Sequence, residues 1–277
     1  MKTLIIKNIQ KISLYLISGI ILVITGFPFV FLVLNSFKSM PEYLKNIWKL
    51  PEIIFLGNYE KVFQPKFLRY FLNSVFESVV GVFIIVVVSS MMAYAFARMK
   101  FKYKNTLYFL VIAGMMIPVH TTLIPTFTLL SSIGLTDSLV GLLGPYVSYN
   151  IPISVFILTQ FFKEIPIELE EAAIIDGCGR IKAFIKIILP LSGPALATVV
   201  VYSSLSIWNE FINANVLITS SANKTLPLGI REFYGFMTID IPAVLTAILV
   251  GSLPVILIYF LAQEKVVNGL TQGAVKG

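Results

Sequence analysis

Long windows without charged residues organise this chain. Six stretches of 20 to 32 residues contain no Asp, Glu, Lys or Arg. An α-helix rises 1.5 Å per residue, so about 20 residues cross a hydrocarbon layer of roughly 30 Å. The pattern therefore predicts an all-α membrane protein with six transmembrane helices, at about residues 12–36, 74–97, 107–130, 139–162, 191–217 and 241–263.

The composition supports a membrane environment. Hydrophobic residues make up 57% of the 277 residues and charged residues 13%, about half the charged fraction of ordinary soluble domains. This balance excludes a typical soluble globular protein. Cys178 and His120 are the only residues of their types, so an intrachain disulfide, a CxxC pair and a histidine cluster for a metal are all excluded.

The distribution of basic residues predicts the orientation. If the N-terminus lies inside the cell, the inner segments contain 13 Lys and Arg residues and the outer segments contain 8. This bias follows the positive-inside rule, and the cluster RMKFKYK at residues 98–104 is its strongest marker. Both termini are therefore predicted to be cytoplasmic. The net charge of +7 then reflects membrane loops, and no nucleic-acid partner is expected.

The segment at residues 164–190 has a helix–elbow–helix pattern. Pro166 suits a helix start, the acids that follow complement the positive end of that helix, and Gly177 ends it. Beyond the elbow, apolar residues recur with helical spacing from Ile181 to Leu189. The segment could lie on the lipid surface as an amphipathic connector or dock into a groove on a protein. Its acidic first half favours a protein, because anionic headgroups attract basic side chains.

Six ordered segments, from Asn73 onward, resemble the MalG-type permeases of carbohydrate ABC importers. The fourth of these segments leads into EAAIIDGCGRIKAFIKIILP, residues 171–190, which is similar to the EAA loop of binding-protein-dependent permeases. Cys178 departs from the small residue, such as Ala, that is usual in this loop. The six segments are NSVFESVVGVF...AYAFARMKF, MMIPVHTTLIP, GLTDSLVGLLGPY, IPIELEEAAIIDG, SIWNEF and VNGLTQGAVKG.

This resemblance implies a type I ABC importer fold, with residues 1–277 as a single transmembrane domain in the cell membrane. It also implies three partners: a second permease, an ATPase dimer that binds ATP and Mg, and an extracytoplasmic sugar-binding protein. In that family the EAA loop is the coupling helix, which docks into a cleft on the ATPase. The residues expected at this contact are Glu171, Ala172, Ala173, Asp176 and Gly177.

The absence of common catalytic and phosphate-binding motifs limits the reactions that this chain could catalyse. The sequence contains no GxxxxGK[ST] phosphate-binding loop, no HExxH and no GxSxG, so the chain is not expected to be an enzyme. The energy for transport must then come from another subunit. An ion-coupled secondary transporter is the alternative, and it would use membrane-embedded ionisable groups such as Glu77, His120 and Glu210. A membrane scaffold without a transport role is a third class that no sequence feature supports.

Polar residues inside the apolar windows indicate a translocation path. Asn209 and Asn213, four residues apart, are expected on one helix face, where a polar stripe must meet protein or water. In the third span, Pro118 and Pro125 are expected to break the helix around His120. The same polar residues could instead form hydrogen bonds between helices or subunits. The candidate path residues are His120, Tyr149, Asn150, Ser206, Asn209, Glu210 and Asn213.

Overall fold

The computed structural model describes residues 2–234 and 239–274, with the side chains of residues 10–234 and 239–263. Every regular element within these ranges is helical. The α-helices are α1 (Lys2–Ser36), α2 (Met40–Lys45), α3 (Gly57–Val62), α4 (Pro65–Arg98), α5 (Lys104–Ala113), α6 (Val119–Ser132), α7 (Leu139–Glu164), α8 (Ile167–Ile175), α9 (Arg180–Ala183), α10 (Leu189–Leu191), α11 (Gly193–Trp208), α12 (Ile212–Leu217), α13 (Leu226–Arg231) and α14 (Ile241–Ala274).

Five of the predicted spans are confirmed as helical segments long and apolar enough to cross a membrane. The remaining window, 107–130, is covered by α5 and α6, which meet at an angle of 100° and complete a set of six crossings if the bent pair counts as one. The five other segments are Gln10–Ser36, Pro65–Arg98, Leu139–Glu164, Gly193–Leu217 and Ile241–Gln263.

The bend in the third predicted span comes from one of its two prolines. Ile117, which precedes Pro118, has φ −82° and ψ 113° and is therefore extended, as expected for a residue next to the proline ring. Pro125 lies inside α6 without ending it. The prediction of two breaks is thus correct at Pro118 and wrong at Pro125.

Contacts between residues divide the chain into two units. Among the described residues, the larger unit comprises 68–229 and 254–274. Its core lies where α4, α7 and α11 pack, and Gly81 permits the approach because a Cβ there would lie 2.7 Å from Cδ1 of Ile207. Side chains that are wholly buried in this core include Ile85, Leu142, Leu158, Phe162 and Val199.

The other unit comprises the described residues 2–67, 230–234 and 239–253 and contains the long loop after α1. Lys38 is wholly buried there, and its Nζ donates hydrogen bonds of 3.1 Å to the carbonyls of Asn46 and Ile47. Burial lowers the pKa of Lys38 from its ordinary value, although the charge of Glu42 opposes this shift. The loop is therefore ordered by buried polar contacts.

Candidate translocation cavity and coupling loop

The seven candidate path residues come together around one cavity. This cavity has a volume of about 390 Å³ and lies among α6, α7 and the junction between α11 and α12. Polar atoms inside a bilayer must meet protein or water, so the cavity gives these side chains a hydrophilic environment. Its lining comprises the seven predicted residues together with Val119, Tyr146, Ile207, Phe211 and Ile212.

A break in the fifth span forms one wall of the cavity. Helix α11 ends at Trp208 and α12 begins at Ile212. Asn209 and Asn213 therefore do not share the face of one continuous helix, and that prediction is wrong. Both side chains nevertheless line the cavity because the chain turns between them.

Glu210 explains why the chain turns at this position. Its Oε1 accepts a 2.7 Å hydrogen bond from the backbone N–H of Asn213, and its Oε2 accepts one of 3.2 Å from the N–H of Ala214. The first turn of a helix leaves such donors without partners, so the carboxylate caps α12. Ser206 and Asn209 are exposed on the preceding turn. The cap thus satisfies Glu210 locally and leaves neighbouring polar groups open to the cavity.

The opposite wall begins at the bend between α5 and α6. His120 lies in the first turn of α6, and its side chain is exposed. The hydroxyl of Thr122 donates a 2.7 Å hydrogen bond to the carbonyl of Val119 and lies 2.5 Å from the Oη of Tyr149. The contact with Tyr149 connects α6 to α7 beside the cavity.

Tyr146 is a cavity residue that sequence reasoning missed. Its side chain is buried, and its carbonyl accepts a 2.8 Å hydrogen bond from the amide of Asn150. Tyr146 precedes Tyr149 by three positions and Asn150 by four, so helical periodicity around the predicted pair was the signal that could have identified it. Glu77, an ionisable residue considered for ion coupling, is buried in α4 and is not among the residues that line the cavity.

The predicted helix–elbow–helix at residues 164–190 is present, with its elbow at Gly177. Gly177 has φ +86°, a conformation that favours glycine. Its N–H donates to the carbonyl of Ile174 at 3.0 Å, and the N–H of Cys178 donates to the carbonyl of Ala173 at 2.9 Å. These two bonds form a Schellman motif, which ends α8 and redirects the chain.

Most residues of the EAA motif lie on the surface of this loop. Ala173 is buried, whereas the others are exposed. Ile175 and Ile181 add apolar side chains that are 85% and 75% exposed. We call residues 171–181 the coupling tip, and its exposed motif residues are Glu171, Ala172, Asp176 and Gly177.

Sequence reasoning also missed the role of Glu170. This residue is buried, and its Oε1 accepts a 2.5 Å hydrogen bond from the hydroxyl of Tyr94. Its Oε2 lies 3.5 Å from Nε of Arg98, whose guanidinium also donates to the carbonyl of Ile165. Tyr94 and Arg98 are four residues apart on α4, so they lie on one face of that helix. The four-residue spacing of Tyr94 and Arg98 in the segment AYAFAR was the sequence signal that could have indicated a polar contact on this face of α4.

The elbow divides the loop into a first limb, before Gly177, and a second limb, after it. The second limb differs from the regular helix predicted for it. A π-helical turn at Phe184–Ile188 lies between α9 and α10. A π turn holds more residues than an α turn, which shifts the phase of the side chains. Ile188 is therefore wholly buried while Ile185 is 54% exposed, and the predicted single apolar face does not persist.

The chain belongs to the family of binding-protein-dependent transport system inner membrane components, which matches residues 85–271. It is 46% identical to a putative ABC transporter permease protein of Caldicellulosiruptor sp. strain Rt8B.4, covering 92% of this chain and 93% of that protein. It is 32% identical to the trehalose/maltose transport system permease protein MalG of Thermococcus litoralis, covering 98% and 99% of the two chains. The predicted family is thus confirmed, in preference to an ion-coupled secondary transporter.

The fold is similar to that of one chain in a solved ABC transporter. In the crystal structure of a bacterial ABC transporter involved in the import of the acidic polysaccharide alginate, one chain aligns with a TM-score of 0.81. The alignment covers 93% of this chain and 96% of that chain at 23% identity. This likeness confirms the predicted ABC importer fold.

Proposed function

We propose that this chain is the permease subunit of an ATP-driven sugar or oligosaccharide importer. Named relatives support this substrate class, since they include permeases for trehalose/maltose, for diacetylchitobiose and for starch degradation products. A second permease would complete the translocation path, and an ATPase dimer would bind ATP and Mg. An extracytoplasmic binding protein would deliver the sugar. Both termini would lie in the cytoplasm, as the distribution of basic residues favours.

The observation that carries this proposal is the coupling tip. Ile175 and Ile181 project from the elbow almost free of contacts, at 85% and 75% exposure. Glu171 and Asp176 are exposed beside them. A helix that docks into a groove has this composition, with apolar side chains at the centre and charges at the rim. The ATPase would occupy this surface, with Gly177 allowing close approach.

The cavity supports the passage of a carbohydrate. Sugar hydroxyls require hydrogen-bond donors and acceptors, which the exposed side chains of His120, Ser206 and Asn209 supply. The ring of Tyr149 offers an apolar face to the C–H groups of a sugar ring. A volume of about 390 Å³ also lies within the range of small-molecule sites. This surface would form one side of the path, facing the second permease.

The native Cys178 provides a test of the ATPase contact. It is the only cysteine in the sequence, and its side chain is partly exposed next to the elbow. In a complex reconstituted with its ATPase, a thiol-reactive photo-cross-linker on Cys178 is expected to join the two subunits, and Cys178→Ser should abolish the product. ATP-dependent uptake of radiolabelled maltose, trehalose or diacetylchitobiose would test the substrate class. Uptake that continues without the ATPase but collapses with a protonophore would contradict the proposal.

A further inference from the structure

We infer that α4 is the lever that carries movement of the coupling loop across the membrane, with Tyr94 and Glu170 as its positioning residues. The inference rests on the proposed contact between the coupling tip and an ATPase. It assigns a role to a buried cluster that lies outside both the EAA motif and the cavity. We call this cluster, formed by Tyr94, Arg98 and Glu170, the α4 clamp.

The α4 clamp fastens the first limb of the loop. The side chains of Arg98 and Glu170 are each only 8% exposed and form an ion pair of 3.5 Å. The hydroxyl of Tyr94 donates a 2.5 Å hydrogen bond to the same carboxylate. Arg98 also donates to the carbonyl of Ile165, just before α8. Moving the first limb away from α4 would separate the buried charges of Arg98 and Glu170. The attraction between them is strong in a low-dielectric interior, so the pair holds this limb against α4.

The same helix also contacts the second limb. The hydroxyl of Tyr94 lies 3.4 Å from the carbonyl of Arg180, the first residue of α9. The ring of Tyr94 lies 4.7 Å, between centroids, from the ring of Phe184. Tyr94 therefore touches the loop on both sides of the elbow. A push on the coupling tip cannot move either limb alone without breaking a contact to α4.

The opposite end of α4 is fastened to another segment, residues 221–226, which follows α12 and its cavity wall. Helix α4 is one continuous 34-residue helix, so it can transmit displacement over its length at 1.5 Å per residue. The contacts at this end are the hydroxyl of Tyr70 with that of Ser221 at 2.7 Å, the amide of Asn73 with the carbonyls of Ala222 and Lys224 at 2.9 and 2.8 Å, and the N–H of Leu226 with the hydroxyl of Ser74 at 2.8 Å.

These contacts make α4 a physical link between the coupling loop and the segment after the cavity. Movement of a loop that is fastened at two limbs must displace the helix end to which it is fastened. A continuous helix that is fastened again at residues 70–74 then moves the 221–226 segment. The coupling between the two ends is energetic, so it should respond to loss of a single hydroxyl in the α4 clamp.

Tyr94→Phe tests the inference because it removes one hydroxyl and keeps the ring against Phe184. In the reconstituted complex, the variant should assemble and hydrolyse ATP while the amount of sugar transported per ATP falls about fivefold or more. Tyr108→Phe is the matched control, since its hydroxyl accepts only an exposed 3.2 Å hydrogen bond from Gln160. Glu170→Gln keeps an acceptor for Tyr94 and should retain more coupling than Tyr94→Phe.

A second measurement follows movement directly. In a Cys178→Ser background, spin labels at the exposed positions Leu72 on α4 and Val140 on α7 should change their separation when ATP binds. Tyr94→Phe should reduce that change. The inference would be overturned if Tyr94→Phe transported as much sugar per ATP as the wild type and showed the same change in label separation. It would also be overturned if Tyr94→Phe, made with Cys178 present, lost the cross-link that the wild type forms, because Tyr94 would then be only a structural anchor. Failure of the cross-link in the wild-type complex would instead contradict the proposed function.

Discussion

Two glutamates next to helix ends find their partners in opposite ways. Glu170, in the coupling loop, is buried against Tyr94 and Arg98 of a different helix. Glu210, in the cavity wall, accepts hydrogen bonds from the backbone of the next turn, at Asn213 and Ala214. The first carboxylate joins two distant parts of the chain, whereas the second stabilises its own turn.

This difference matches the work proposed for the two regions. A loop that receives force must be connected to the helix it moves, and the long-range bonds of Glu170 provide such a connection. A wall that meets a passing solute needs a stable shape with exposed polar groups. The local cap of Glu210 leaves Ser206 and Asn209 exposed at the cavity.

The largest effect is expected from removing the long-range partner. Glu170→Ala leaves the buried charge of Arg98 without its counter-ion, and breaking such a pair costs about 3–5 kcal/mol. Thermal unfolding of the purified complex should show a large loss of stability, and transport should fail. Glu168→Ala is the control, because Glu168 is exposed in the same first turn of α8. Equal effects of the two changes would show that the buried contacts of Glu170 contribute no more than an exposed carboxylate of the same helix turn.

A smaller effect is expected at the elbow. Gly177→Ala places a Cβ at φ +86°, where an L-residue costs about 1–2 kcal/mol. Gly179→Ala is the matched control, because Gly179 has φ −67° and open space around its Cβ position. Hydrogen exchange should become faster in the coupling tip for Gly177→Ala only. If both variants exchange alike, backbone conformation does not decide the stability of the elbow.

The spans were predictable because lipid imposes one requirement on every residue of a window. Hydrophobic length therefore located five helices directly and the bent pair approximately. The sequence could not show which proline bends the third span, because both remove a backbone donor and membrane helices can also tolerate a proline in their interior, as α6 does at Pro125. The π turn at Phe184–Ile188 was also not predictable. It coincides with complete burial of Ile188, and burial depends on tertiary packing rather than on the local sequence pattern.

The candidate site was predictable where chemistry is local and hidden where it is not. Polar residues in apolar windows identified the cavity lining, because such residues need a hydrophilic environment wherever the helices pack. The α4 clamp was hidden because Tyr94 and Glu170 are 76 positions apart. Acidity at the start of α8 suggested a role at the helix end, and only the packing of α4 against the loop shows that Glu170 is buried.

A more modest loss is expected when the local cap is removed. Glu210→Ala deprives α12 of its carboxylate acceptor, and loss of a cap typically costs about 1 kcal/mol. Exchange of the amide hydrogens of Asn213 and Ala214 should become faster, while the complex should remain folded. Glu210→Gln keeps one acceptor oxygen, so its exchange rates should lie between those of the wild type and those of Glu210→Ala. A loss of stability as large as that of Glu170→Ala would show that the two backbone bonds of the cap are not the main contribution of Glu210.

The smallest effect should be present near neutral pH and lost in acid, at the segment that follows α12. Oδ1 of Asp137 accepts hydrogen bonds of 3.0 and 2.9 Å from the N–H groups of Thr219 and Ser220. Burial alone would raise the pKa of Asp137, but these bonds favour the carboxylate and lower the pKa below its ordinary value. A depressed pKa in the folded state contributes stability above the pKa of the unfolded chain, and this contribution is lost as the pH falls through the folded value.

The stability difference between wild type and Asp137→Asn therefore tests this contact. It should be constant between about pH 5 and pH 7 and should shrink below about pH 4, because protonation makes the wild-type side chain resemble the neutral amide. Asparagine is the suitable replacement, since it tolerates the φ of +52° at this position. Melting temperatures of the two complexes across this range give the comparison. A difference that grows in acid would mean that the carboxylate is not the form that holds the backbone of Thr219 and Ser220.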